Sequence, residues 1–123
     1  MLDKIVYITV GEKTYPITFT MNVLELMQDT YGSLIKWQNS LLVDGEPRVK
    51  PLVWSFCEMI NEGIEIENEE KHTNEPKITH KQAGRIITHI GLVPAYRKIK
   101  EIVTNAVPIK EEDSPNTKAN TTQ

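Results

Sequence analysis

Residues 5–10, IVYITV, are β-branched and aromatic, and in 14–19, TYPITF, Tyr15, Ile17 and Phe19 alternate with Thr14, Pro16 and Thr18. Both have the character of short strands. The GEK between them is brief and begins with Gly11, which accepts the positive φ of a tight turn, so the pair predicts a β-hairpin. Pro16 has no N–H to donate, which places its strand at an edge or turns that position toward water. From Met21 the apolar spacing changes to three and four. Thr20 or Asn22 can cap a helix with Val23, Leu24, Met27 and Tyr31 on one face. Gly32 ends it, Ser33 starts another, and Leu34, Ile35, Trp37, Leu41 and Leu42 form the apolar side of the second. A two-stranded hairpin buries its inner face only against something else, and a helix that follows at once is placed to cover it.

Residues 43–50, VDGEPRVK, are turn chemistry. Pro51 suits a first helical turn, and Val53, Phe56, Cys57 and Ile60 recur at i, i+3, i+4 and i+7 behind it. Gly63 is expected to close that helix, and EIENEEKHTNEPK (65–77) to be a solvated loop. Thr79 and Gln82 have the spacing of a capping box, with Ala83, Ile86, Ile87 and Ile90 as the stripe behind them. Gly91 stops this helix and Pro94 opens the last, whose Ile99, Ile102, Val103 and Ala106 face inward. After Pro108, IKEEDSPNTKANTTQ has a single aliphatic larger than alanine, a composition that builds no core. The expected architecture is α+β: an N-terminal β-hairpin packed on four to five short helices over 1–107, then a disordered polar tail over 108–123.

Composition narrows the class. The 39% apolar and 25% charged residues are those of an ordinary globular domain. The single cysteine, Cys57, forms no intrachain disulfide and suits a reducing, cytosolic compartment. No apolar run approaches the ~20 residues of a membrane span. The net charge of −3 argues against bulk nucleic-acid binding, but its distribution is uneven. Residues 51–77 hold seven acidic side chains against Lys71 and Lys77, whereas 78–107 hold Lys81, Arg85, Arg97, Lys98 and Lys100 against Glu101 alone. Opposite charge of this kind invites contact within one chain or between copies. The residues expected in such a contact are Glu62, Glu65, Glu67, Glu69 and Glu70 on one side, and Arg85, Arg97, Lys98 and Lys100 on the other.

Candidate chemistry is sparse. His80 and His89 are nine apart on one predicted helix, about half a revolution round, so the two do not share an ion. His72 lacks the neighbours of a zinc motif, and EIENEE lacks the alternating ligands and central glycine of a calcium loop. No metal or cofactor is therefore expected. Cys57 with a histidine is a conceivable nucleophile pair, but it lies inside an apolar stripe, where a thiol is usually inert packing. An enzyme is the third-ranked reading. A helix-turn-helix with helices around 80–90 and 94–106, with Tyr96, Arg97 and Lys98 entering a groove, is the runner-up; its basic footprint is thin beside an acidic neighbour.

Three runs together resemble the small tail assembly chaperones of long-tailed bacteriophages and prophages. They are YPITFTMNVLELMQDTYGSL, WSFCEMINEGIE and ITHKQAGRIITHIGL, and the likeness covers about residues 3–107. The acidic stretch at 65–77 departs from the pattern. The resemblance implies a non-enzymatic role in virion assembly, in the bacterial host cytoplasm. It implies binding to the tape measure protein, whose helices such chaperones keep soluble and bring to tail tube subunits, and in many cases a longer frameshifted product. Such a protein offers apolar surface to its client, and Trp37, Leu41, Leu42, Trp54 and Met59 are the expected partner-binding residues. The plainer alternative is that Trp37 and Trp54 complete the core. Self-association into a ring or filament is expected from the opposed charges.

Overall fold

The structure is a computed structural model and describes residues 4–107. The polar tail expected over 108–123 lies outside the described residues. Strands β1 (Val6–Val10) and β2 (Lys13–Ile17) form an antiparallel hairpin. Its two-residue loop has positive φ at Gly11 but not at Glu12, the II′ pattern that matches strand twist. Pro16 stands opposite Tyr7. Counting back in alternation from the loop-closing pair Val10–Lys13, this is a pair without mutual hydrogen bonds, so the missing N–H costs the ladder nothing. The outer edge of β2 does not face water: it is laid on a helix.

Helix α1 (Met21–Tyr31) starts at Thr20, whose hydroxyl accepts the Val23 N–H, and ends at Gly32. Helix α2 (Leu34–Ser40) is capped by Ser33 in the same way. Val23, Met27 and Trp37 are buried, whereas Ile35, expected on the apolar side of α2, is 53% exposed. The VDGE turn region proves to be a second, minimal hairpin, β3 (Leu42–Val43) with β4 (Glu46–Pro47). Asp44 and Gly45 both have positive φ, 54° and 79°, which is the type I′ turn that Asp-Gly favours.

Helix α3 (Val49–Lys71) is the axis of the molecule, 23 residues long and so about 35 Å from end to end. Strand β2 and helices α1, α4 (His80–Ile90) and α5 (Leu92–Ala106) all pack on it. Two expectations fail here. Gly63 lies inside α3 rather than at its end, and residues 65–71 are helical rather than loop. The physical reason is a continuous inward stripe. Phe56, Ile60 and Ile64 are buried one turn apart, and Asn61 and Asn68, seven residues apart on one face, hold the returning chain. The Asn68 side chain accepts from the Thr73 hydroxyl and the Glu75 N–H, both at 2.9 Å, and donates to the Glu75 carbonyl at 3.0 Å. Asn61 accepts the Ile78 N–H at 2.8 Å and donates to the Ile78 carbonyl at 3.1 Å. Loop 72–79 therefore runs back along α3, while Glu69 and Glu70 are exposed. It delivers Thr79 to its capping box with Gln82 at the start of α4.

Candidate functional site

The five expected partner-binding side chains separate sharply. Trp37, Leu41 and Met59 are at most 1% exposed, so they belong to the core and have no surface to offer a partner. The Trp37 indole N–H donates to Ser55 Oγ at 2.8 Å, and that hydroxyl donates to the Pro51 carbonyl at 2.6 Å. An amphipathic tryptophan is thus completely satisfied inside the protein. Trp54 is half-buried and meets the Tyr31 ring edge-on, 5.2 Å between centroids. Leu42 alone stands well out, at 39%.

Leu42 is not isolated. Val43, beside it on β3, is 45% exposed, and Val49, at the first turn of α3, is 58% exposed. The pairing of Leu42 with Pro47 and the hydrogen bond from the Arg48 N–H to the Leu41 carbonyl, at 2.8 Å, fix the backbone of this corner, on which Leu42 and Val43, consecutive on β3, point to opposite faces of the hairpin. Along the chain here Leu41, Pro47 and Leu52 are buried, whereas Asp44, Glu46, Arg48 and Lys50 are exposed. Exposed aliphatic side chains among exposed charged ones, on a paired hairpin, are candidates for contact with a partner. Val43 and Val49 were missed in the sequence because VDGEPRVK carries no periodicity; the only signal was Asp-Gly between flanking aliphatics.

The charged residues are less free than expected. Glu62 accepts from the Thr20 hydroxyl at 2.6 Å and the Asn22 amide at 3.2 Å, so it pins the start of α1 to α3. Glu67 accepts from the Tyr7 hydroxyl and pairs with Lys71 at 3.7 Å. Glu65 faces Lys77 at 3.5 Å. Glu69 and Glu70 are exposed. Among the described residues, no ion pair joins the acidic end of α3 to Arg85, Arg97, Lys98 or Lys100; Lys100 sits over the Tyr96 ring, 5.8 Å from its centroid.

Cys57 does meet a histidine. Its Sγ, a Glu58 carboxylate oxygen and a His80 ring nitrogen lie within 4.8 Å of one another. The thiol donates to the Ile78 carbonyl at 3.7 Å and accepts from Asn61 Nδ2 at 3.6 Å. Burial pushes it up from its ordinary value, the Glu58 charge adds to this, and the Asn61 N–H pulls the other way. A thiol kept neutral is a poor nucleophile. The helices of the expected helix-turn-helix, α4 and α5, are joined by Gly91 alone, whereas that motif uses a three- to four-residue turn.

No known protein family matches the chain, and no curated protein and no solved structure matches it either. No described helix is long and apolar enough to cross a membrane.

Proposed function

We propose that the protein is a non-enzymatic binding protein, a tail assembly chaperone that holds helical segments of a tape measure protein in solution. The observation that carries this reading is the exposure of Leu42, Val43 and Val49, three aliphatic side chains within eight residues on a paired hairpin and the first turn of α3. A helical client that lays an apolar stripe there buries surface at roughly 25 cal/mol per Å². The burial that raises the Cys57 thiol and the one-residue link between α4 and α5 both weigh toward binding of a protein partner over catalysis or DNA recognition. The client's identity comes from the resemblance of YPITFTMNVLELMQDTYGSL, WSFCEMINEGIE and ITHKQAGRIITHIGL to that chaperone family.

Self-association belongs to the same proposal. Among the described residues, the basic residues of α4 and α5 and the exposed Glu69 and Glu70 form no ion pair with each other, and contact with a neighbouring copy is where opposite charge of this kind would meet. Several copies on one long client add avidity without any new kind of contact.

Co-expression with a tape measure fragment tests the reading. The fragment is expected to move from the insoluble to the soluble fraction and to co-purify with the chain. A fragment that stays insoluble, together with salt-sensitive retention of the chain on DNA, would replace this reading with the nucleic-acid one.

A further inference from the structure

At the joint between α3 and α4, three side chains of different ligating chemistry converge. We propose that Cys57, Glu58 and His80 form a binding site for a zinc-class divalent ion, with water completing the coordination. Their candidate ligand atoms already lie within 4.8 Å of one another. Bonds of about 2.0–2.3 Å in a tetrahedral set place ligand atoms about 3.5 Å apart, so closure asks for a movement of about 1 Å. Half-buried Glu58 and exposed His80 have that freedom, while buried Cys57 supplies the fixed point.

The donor set selects the ion. A thiolate does not suit calcium or magnesium, and one sulfur, one nitrogen and one carboxylate oxygen suit zinc and its neighbours. Charge balances as well: a dication with thiolate, carboxylate and neutral imidazole sums to zero, which suits a partly buried joint. Binding forms the metal–sulfur bond and releases the thiol proton to water. Ile78 O then loses the thiol as a donor but keeps Asn61 Nδ2 at 3.1 Å. The Asn61 N–H that points at Sγ, at 3.6 Å, becomes a hydrogen bond to a thiolate. Asn61 thus has two functions here: it clamps the loop that brings His80 to Cys57, and it supports the sulfur. The sequence hides this set because Cys57 and His80 are separated by the whole loop that α3 turns back on itself.

Cobalt(II) provides the test, because Cys57 is the only cysteine and any thiolate-to-cobalt charge-transfer band belongs to it. Titration of the full chain is expected to give that band at one equivalent, and zinc is expected to bleach it. Cys57→Ser should remove the band. His80→Ala and Glu58→Gln, at positions that are not buried, should weaken binding by about tenfold or more, whereas His89→Ala should leave it unchanged. No thiolate band at saturating cobalt, or a band of equal affinity in His80→Ala, would overturn the site.

Discussion

Pro16 and Gly63 touch: a Cβ added to Gly63 would lie 3.0 Å from the Cβ, C and O of Pro16. One turn earlier the Thr18 N–H donates to the Met59 carbonyl, at 3.2 Å, so the edge of β2 is laid directly on the backbone of α3. Only a helix without a side chain at that point admits so close a strand. Gly63→Ala is therefore expected to destabilise by about 1–3 kcal/mol, despite a gain in helix propensity of about 1 kcal/mol. Gly84, inside α4 with open space where its Cβ would be, is the control. Gly84→Ala should stabilise by about 0.5–1 kcal/mol. Urea denaturation of the two variants should give shifts of opposite sign.

The Trp37–Ser55 bond makes a second test. Ser55→Ala removes the acceptor for a buried indole N–H and leaves that donor without water, at an expected cost of about 1–3 kcal/mol. Trp37→Phe removes the donor along with much of a large ring, and is expected to cost more through the cavity it leaves. The double variant should cost less than the sum of the two single costs, because the orphaned donor is gone. Additive costs in chemical denaturation would mean that the bond contributes nothing.

Where local signals and burial agreed, the fold was legible in the residues. The hairpin, the Thr20, Ser33 and Thr79 caps and the Gly32 and Gly91 ends all rest on short-range chemistry, and each is found. Gly63 misled because its role is tertiary: a glycine chosen for the approach of Pro16 reads, in one dimension, as a helix end. The acidic run 65–71 misled because none of its residues is fully buried and Asn68, which holds the returning loop, is hydrogen-bonded rather than apolar. Met59 reads as a surface anchor because it lies off the main stripe of α3, whereas Trp37, legible as either anchor or core, is core, with its indole bonded to Ser55 of α3. The exposed corner was legible in one residue, Leu42; its companions Val43 and Val49 acquire meaning from a hairpin two residues deep.

Alkaline pH should weaken the fold through its tyrosines. The Tyr7 hydroxyl donates to Glu67, and loss of its proton would set a phenolate beside that carboxylate and near Glu70, so its pKa is raised above the usual 10.0. Burial raises Tyr31 in the same direction. The unfolded chain then gives up these protons first, near pH 10, while the native state retains them. Their stabilising contribution is complete below about pH 10 and is lost as pH rises through the folded values. Urea midpoints are expected to be level in this respect up to about pH 9 and to decline above about pH 10. Tyr7→Phe should lessen the decline, and Glu67→Gln should bring the ultraviolet titration of Tyr7 back toward 10.

Salt should govern assembly. If Glu69 and Glu70 of one copy meet Arg85, Arg97 and Lys98 of the next, the sizing-column mass should exceed that of one chain at low salt. It should fall as salt shortens the Debye length below about 8 Å. Reversing Arg85 and Arg97 to Glu should reproduce the high-salt profile at low salt. A single-chain elution volume at low salt and high protein concentration would remove self-association.

The corner offers the sharpest separation of binding from folding. Leu42, Val43 and Val49 are 39–58% exposed, outside the buried core, so polar replacements leave no core cavity. Val43→Thr keeps the β-branched shape that the type I′ hairpin favours, and Val49→Gln keeps a helix former at the start of α3. Each substitution, like Leu42→Gln, is expected to change stability by less than about 0.5 kcal/mol, as surface changes usually do. If the corner is where the client lies, the triple variant should fold normally, by circular dichroism and urea midpoint, yet lose most of its ability to keep a tape measure fragment soluble. The same triple substitution made at exposed Met21, Leu26 and Ile35 serves as the control and should leave solubilisation intact. Equal loss in both variants would show that general stickiness, and not this corner, does the holding. No loss in either would move the client elsewhere on the surface.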